Sequence, residues 1–475
     1  MESTVPLNRA HQFSPVKDEV YYHAGKLILI SAFIYVLLRA YCLSITYDEA
    51  VTYLNYATKS YIGIFTEEST ANNHFINTVL IKFFTGIFGV SEFVVRIPAL
   101  IGASLYLASA YSISKLLFRK HCFLASVYLL VSNALIMDFL SLARGYSLAL
   151  GFFMVALYYL LKEEHNEIAA LMCTLMVLSS LSFLYVYAAF ILLLAYRELG
   201  DIRSLVLKAI LPTGFSALFL FLVLFNTVKR MHLAGEFYFG GTTSFWQDTG
   251  RSLIVYALYD NYSNILLIEI SQIIVIGLIG IGLLVAYRTR EKRLLTISFM
   301  LIVVILLIHL HHALGTRFLL DRAAIFFVPL FSLFIMLAWH ATSSRIANAF
   351  YSIIIILVII NFIGSINIAY TLSWNYDANT KDAINEMIYD YHAGEKTIGV
   401  TSIYYPSTSL YRLRYNLSWL KPLTMDDPDG IYDYYIISKS DHWWGPGDEY
   451  ILYKYNLSYT YYPLGDCYFA KRGES

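Results

Sequence analysis

Ser44-Ile45-Thr46-Tyr47-Asp48-Glu49-Ala50 closes the first long apolar run of the chain and sets two adjacent acids where that run should leave a bilayer. Carboxylates at a membrane edge are costly unless water or a partner receives them, so such an acid is a candidate functional group. The competing reading is an acidic pair solvated by headgroups. The surrounding sequence decides between the two.

Apolar residues make up 58% of the 475 and charged residues 14%, and the apolar residues fall in long blocks rather than in alternation. The fold class expected is therefore an α-helical polytopic membrane protein. A formal net charge of zero offers no electrostatic case for nucleic acid as a partner. Cys42, Cys122, Cys173 and Cys467 lie far apart, with no metal or redox spacing. Residues 1–22 are polar and lack a small-residue cleavage pattern, so the first run reads as a retained anchor behind a cytoplasmic tail.

A span needs about 20 apolar residues. Clear runs are 24–45, 96–118, 208–228, 263–287, 294–312, 323–341 and 346–370. Residues 121–161 hold two shorter spans, broken around Asp138 to Tyr146, and 168–197 bends near Ser179-Ser180 into two more. The total is about eleven helices. Lys115, Arg119 and Lys120, then Arg197, Arg203 and Lys208, then Arg288, Arg290, Lys292 and Arg293 all fall on the side of the N-terminus. The positive-inside rule makes that side cytoplasmic and the C-terminus extracytoplasmic.

The first outer loop has structure of its own. Tyr47 to Ser60 reads as a short helix and Asn73 to Gly89 as an apolar helix lying on the surface. Arg96-Ile97-Pro98 is expected to open the second span, with Pro98 in its first turn. The transmembrane part should run over 23–370. From 371 to 475 charge and tyrosine rise, and a small outer α/β domain is expected, of about 100 residues. Asp382 to Tyr391 reads as helix; Thr397 to Thr401, Tyr432 to Ser438 and Tyr450 to Tyr455 read as strands. The tyrosines of this part suit packing better than sugar stacking.

The polar candidates outside that domain converge on the outer face: Asp48 and Glu49; Asn73 and His74; Asp138, Arg144 and Tyr146; Lys229, Arg230 and His232; His309, His311 and His312; Arg317, Asp321 and Arg322. Acids and cations at headgroup level fit sugar transfer from a lipid phosphate. That reaction needs a base for the acceptor hydroxyl and positive charge for the departing phosphate. Neighbouring helical residues point about 100° apart, so Asp48 and Glu49 cannot face one proton together.

The chain resembles the GT-C glycosyltransferases, most closely the branch of protein O-mannosyltransferases and lipid A aminoarabinose transferases. The resemblance rests on Tyr47-Asp48-Glu49-Ala50, on Asn72-Asn73-His74, on Phe88 to Phe93 running into Arg96-Ile97-Pro98, on Ala143-Arg144-Gly145-Tyr146, and on Asp321-Arg322 ahead of Pro329. It covers residues 24–370. It implies a polyprenyl-phosphate sugar donor and a lipid, glycan or protein acceptor on the outer side of the bilayer. It implies Asp48 as the catalytic or acceptor-binding acid with Glu49 beside it. It gives substrate binding to Arg322 and Arg317 at the carrier phosphate, with Asp138 as the counterpart of a second acid; His74, Arg144 and Tyr146 complete the expected set. Aminoarabinose transferases carry an acid-lysine-proline stretch linked to a metal where this chain has Asn-Asn-His-Phe. A divalent metal would need His74 and the 309–312 histidines instead. Two other readings use the same outline: a transporter or flippase, and a polymerase or ligase of lipid-linked glycans. The first predicts charged midplane sites and repeated halves, which the sequence lacks.

Overall fold

The computed structural model describes residues 15–67, 70–261, 263–342, 344–423, 429–440 and 447–473. Among them, seven helices are long and apolar enough to cross a bilayer, from the first (Pro15–Cys42) to the last (Arg345–Gly364). Helices Lys120–Val131 and Ala134–Ser141 form an eighth span bent by 60°. Four shorter apolar helices, Phe75–Phe88, Tyr146–Lys162, Asn166–Ser179 and Phe327–Ala341, accompany them. The chain is an integral multi-pass membrane protein.

The break expected around Asp138 to Tyr146 falls at residues 142–145, between helices Ala134–Ser141 and Tyr146–Lys162. The bend before Ala134 is an addition to the sequence reading; Asn133 accepts from the Ile136 N–H and restarts the helix there. Ser180 is extended, so the 166–179 helix stops there and the chain re-enters through Leu181–Phe183 into helix Leu184–Glu198. Helices Glu92–Leu117 and Tyr146–Lys162 cross closely. A Cβ on Gly102 would lie 2.4 Å from the Ser147 backbone, and one on Gly151 would lie 2.6 Å from the Gly102 carbonyl. Small residues at a crossing are how membrane helices pack when lipid removes the hydrophobic drive between them.

One expectation shifts. The second span starts at Glu92, capped by Ser91, so Pro98 sits inside the helix rather than in its first turn. The basic turns do gather at one end. Lys292 and Arg197 both pair with Glu163, at 2.7 and 3.7 Å, and Arg293 donates to the Leu116 carbonyl.

Beyond residue 371 a four-stranded sheet forms in the order β1(Ile398–Val400), β2(Tyr434–Ser438), β4(Cys467–Lys471), β3(Ser458–Tyr462). β1 and β2 are parallel; β2, β4 and β3 are antiparallel. Helix Thr380–Asp390 is where it was expected. The strand expected at Tyr450 to Tyr455 is instead a helix, Tyr450–Lys454. Its buried residues, Ile451 and Leu452, are consecutive while Tyr450 and Tyr453 are exposed, which a period of two does not allow. β3 escaped the sequence because it is an exposed edge with no apolar alternation. This part packs on the first loop. Glu92 pairs with Arg414 and with Lys381 at 3.3 Å, and Tyr411 Oη accepts from the Ile45 N–H at 2.9 Å.

Candidate functional site

Thr46 and Glu49 build a capping box that starts helix Tyr47–Thr52. The helix therefore presents Asp48 and Glu49 in its first turn, on different faces. Glu49 is fully buried. Arg96 grips it as a fork, Nε to Oε1 at 2.8 Å and Nη2 to Oε2 at 2.7 Å. The N–H of Ala143 donates at 2.6 Å, and Thr46 donates from its backbone and its hydroxyl. Burial by itself would raise the Glu49 carboxyl, but Arg96 and these donors hold it below the ordinary carboxylate value. Arg96 also donates to the Ala40, Leu43 and Ser44 carbonyls, so the pair ties the end of the first span to the second. This geometry leaves Glu49 no lone pair for a substrate, against the catalytic part expected of it.

Asp48 is bound more lightly. Its Oδ2 lies 3.2 Å from Arg144 Nη2, and its Oδ1 accepts from Asn72 Nδ2 at 3.3 Å. Arg144 in turn donates to Asn72 Oδ1 at 2.9 Å and to Thr52 Oγ1 at 3.2 Å. A carboxylate has about four acceptor positions, so Asp48 keeps capacity that Glu49 has lost.

His74 packs edge-on to Tyr146, ring centroids 5.0 Å apart, and its Nδ1 bonds the Ser179 carbonyl at 3.0 Å. Burial and the Arg144 guanidinium keep its imidazole well below the usual histidine range, hence neutral. Gly145 makes this packing possible: a Cβ there would come within 1.9 Å of the Ser179 carbonyl oxygen and 2.7 Å of His74 Cβ. Asp321 occupies the left-handed region at φ 37, a strained conformation for a non-glycine residue at the turn that presents Arg322. Arg322 stacks over Phe239 and Trp374, 4.6 and 5.3 Å from their centroids. Burial opposes its charge, while Asp321, Tyr146 and Asp48 raise its pKa; the Trp374 ring beneath it meets Phe139, which packs on Tyr146.

Asp48, His74, Arg144, Tyr146 and Arg322 thus form one constellation. Asp138 has strong partners of its own. It is buried, 2.5 Å from Arg39 Nη2, and accepts from Tyr259 Oη and the Leu372 N–H. It stitches the first span to the segment after the last one, a bracing place rather than the substrate contact expected. Arg317 is exposed and donates to the Gly240 carbonyl at 3.4 Å, next in the chain to the Phe239 ring that Arg322 covers. His309, His311 and His312 each bond a separate partner: the Ile305 carbonyl, Tyr185 Oη and the Thr316 carbonyl. Among the described residues no three His, Cys, Asp or Glu side chains converge to hold a metal ion.

Sequence reasoning missed Arg39 and Asp377, and noted Asn72 without giving it a role. An arginine inside the first apolar run was a legible signal. Asp377 carried none. Its Oδ2 accepts the Tyr47 N–H at 2.6 Å and so touches the helix that bears Asp48. Thr380 donates to its other oxygen, and burial pushes its carboxyl up to about 8.

This fold has a counterpart among solved structures. The apo crystal structure of ArnT from Cupriavidus metallidurans superposes with a TM-score of 0.52 at 11% identity, over 97% of this chain and 99% of that one. The chain has the GT-C fold. An Archaeoglobus fulgidus oligosaccharyltransferase, tethered to an acceptor peptide, matches with a TM-score of 0.41 at 15% identity, over 83% of this chain and 63% of that one. No protein-family model and no curated protein matches the sequence.

Proposed function

We propose that this protein is a membrane glycosyltransferase. It moves a sugar from a polyprenyl-phosphate donor to an acceptor hydroxyl on the extracytoplasmic face, with its N-terminus cytoplasmic and its 371–475 domain outside. Asp48 takes the proton from the acceptor hydroxyl as that oxygen bonds to the anomeric carbon of the sugar. The bond from that carbon to the phosphate oxygen breaks, and the phosphate leaves with its electron pair beside Arg322. Arg144 and Asn72 orient Asp48; Glu49 braces its helix.

The observation that supports this reading is a lightly held acid, Asp48, and a partly open cation, Arg322, in one cluster: Asp48 pairs with Arg144, and Arg322 joins Tyr146 through Trp374 and Phe139. Base and phosphate anchor are the two groups the reaction requires. A groove of about 770 Å³ beside helix Leu211–Leu233 adds to it. Phe219, Leu222 and Val223 line it together with the cations Lys229 and Arg230. Such a groove suits a polyprenyl chain whose phosphate rests at headgroup level. Transfer of radiolabelled sugar from polyprenyl-phosphate donors in native membranes tests the proposal. Asp48→Asn should remain folded and lose about 10²-fold or more in transfer; full activity in that variant would sink it.

A further inference from the structure

Two buried polar atoms of the constellation have no partner: His74 Nε2 and Arg144 Nε. Their residues are 5% and 2% exposed, and Gly145, next in the chain to Arg144, packs against the His74 side chain, where a Cβ would lie 2.8 Å from Cγ. Buried polar groups are nearly always satisfied, so two orphans on neighbouring residues at one site call for a ligand.

The chemistry of that ligand follows from the atoms. His74 Nδ1 faces the Ser179 carbonyl, which only accepts, so Nδ1 carries the ring proton. Nε2 of a neutral ring with that tautomer is a bare lone pair. It requires a donor. Arg144 Nε–H is a fixed donor, because Asp48, Asn72 and Thr52 already hold the Nη atoms. It requires an acceptor. A phosphate satisfies the arginine but offers the imidazole no proton. An ammonium group satisfies the imidazole but repels the arginine. A hydroxyl serves both, since it donates once and accepts twice.

We propose that His74 Nε2 and Arg144 Nε together hold one substrate hydroxyl beside Asp48; this rests on the glycosyl-transfer reading above. The hydroxyl donates to the imidazole and accepts from the guanidinium. It belongs either to the donor sugar or to the acceptor. In both cases the pair is a binding site for a carbohydrate-type hydroxyl, distinct from the proton-accepting carboxylate of Asp48.

The test uses the full chain in lipid nanodiscs, as wild type, His74→Phe and His74→Gln. The probes are bare polyprenyl phosphate and polyprenyl-phosphate mannose, glucose and arabinose. If the hydroxyl belongs to the donor, one sugar lipid binds wild type about tenfold tighter than the bare lipid. His74→Phe erases that advantage without changing bare-lipid binding, and His74→Gln, which keeps an acceptor oxygen, restores part of it. If the hydroxyl belongs to the acceptor, all lipids bind His74→Phe as they bind wild type. Transfer of radiolabelled sugar into the acceptors of native membranes then falls about tenfold, again partly restored by His74→Gln. Wild-type binding and transfer in His74→Phe overturn the proposal, as does equal loss of every lipid in both variants, which marks His74 as packing only. A wild-type chain that binds no sugar lipid and transfers none overturns the glycosyl-transfer reading itself, and the hydroxyl site with it.

Discussion

Asp48 and Glu49 are neighbours in one helical turn, yet they belong to different regions of the molecule. Glu49 points into the packing between the first two spans, where five contacts from Arg96, Ala143 and Thr46 use its two oxygens. Asp48 points the other way, toward Arg144, Asn72 and the Arg322 turn, with one partner for each oxygen. The same chemical group becomes a brace or a candidate base according to how many donors meet it. A buried ion pair is costly to assemble and costlier to break, because the surviving partner is left charged in a low-dielectric setting. A lightly held carboxylate stays available for a proton.

That contrast makes its own tests. Asp48→Asn should lower transfer by about 10²- to 10⁴-fold, the usual span for a lost base, with the melting temperature little changed. Glu49→Ala should do the opposite and unfold the protein. Stranding Arg96 costs about 3–5 kcal/mol, read as loss of the folded fraction in a detergent melt before any assay is run. If Glu49→Ala melts like wild type while Asp48→Asn does not, the two roles are reversed. Arg322→Gln removes one cation from the departing phosphate and should cost about 10²-fold in turnover, again with the fold retained.

The smallest effect concerns the helix that carries both acids. Asp377, capping Tyr47, has a folded-state value near 8 against an ordinary 3.8. Between those values the folded chain holds a proton that the unfolded chain has lost. Stability should therefore be greatest at the acid end of that interval and fall as pH rises through about 8. Asp377→Asn should flatten the slope of melting temperature between pH 6 and pH 9; an unchanged slope would show that Asp377 does not titrate there.

The spans were legible because a bilayer imposes both length and polarity on a helix, and their breaks were legible because polar residues between Asp138 and Tyr146 and at Ser179-Ser180 interrupt apolar runs. The acids of the first loop and Arg144 stood out for the same reason: charge beside long apolar runs is rare. Partners were not legible. Nothing in the spacing of Arg39 and Asp138, 99 positions apart, says that they touch. Nor does residue order show that Asp377 reaches back 330 positions to Tyr47. The strands after residue 371 were read poorly because exposed tyrosine strands such as Ser458–Tyr462 carry no alternation of apolar and polar residues.

By itself, then, the sequence determined a polytopic helical membrane protein and the end of it where the chemistry should lie. Hydrophobic length and scarce charge are local properties and can be read one residue at a time. Only the tertiary structure decided which acid is spent and which is free. That depends on donors brought from residues 96, 143 and 144 onto one turn, and a sum of contacts across the fold leaves no trace in the order of the residues.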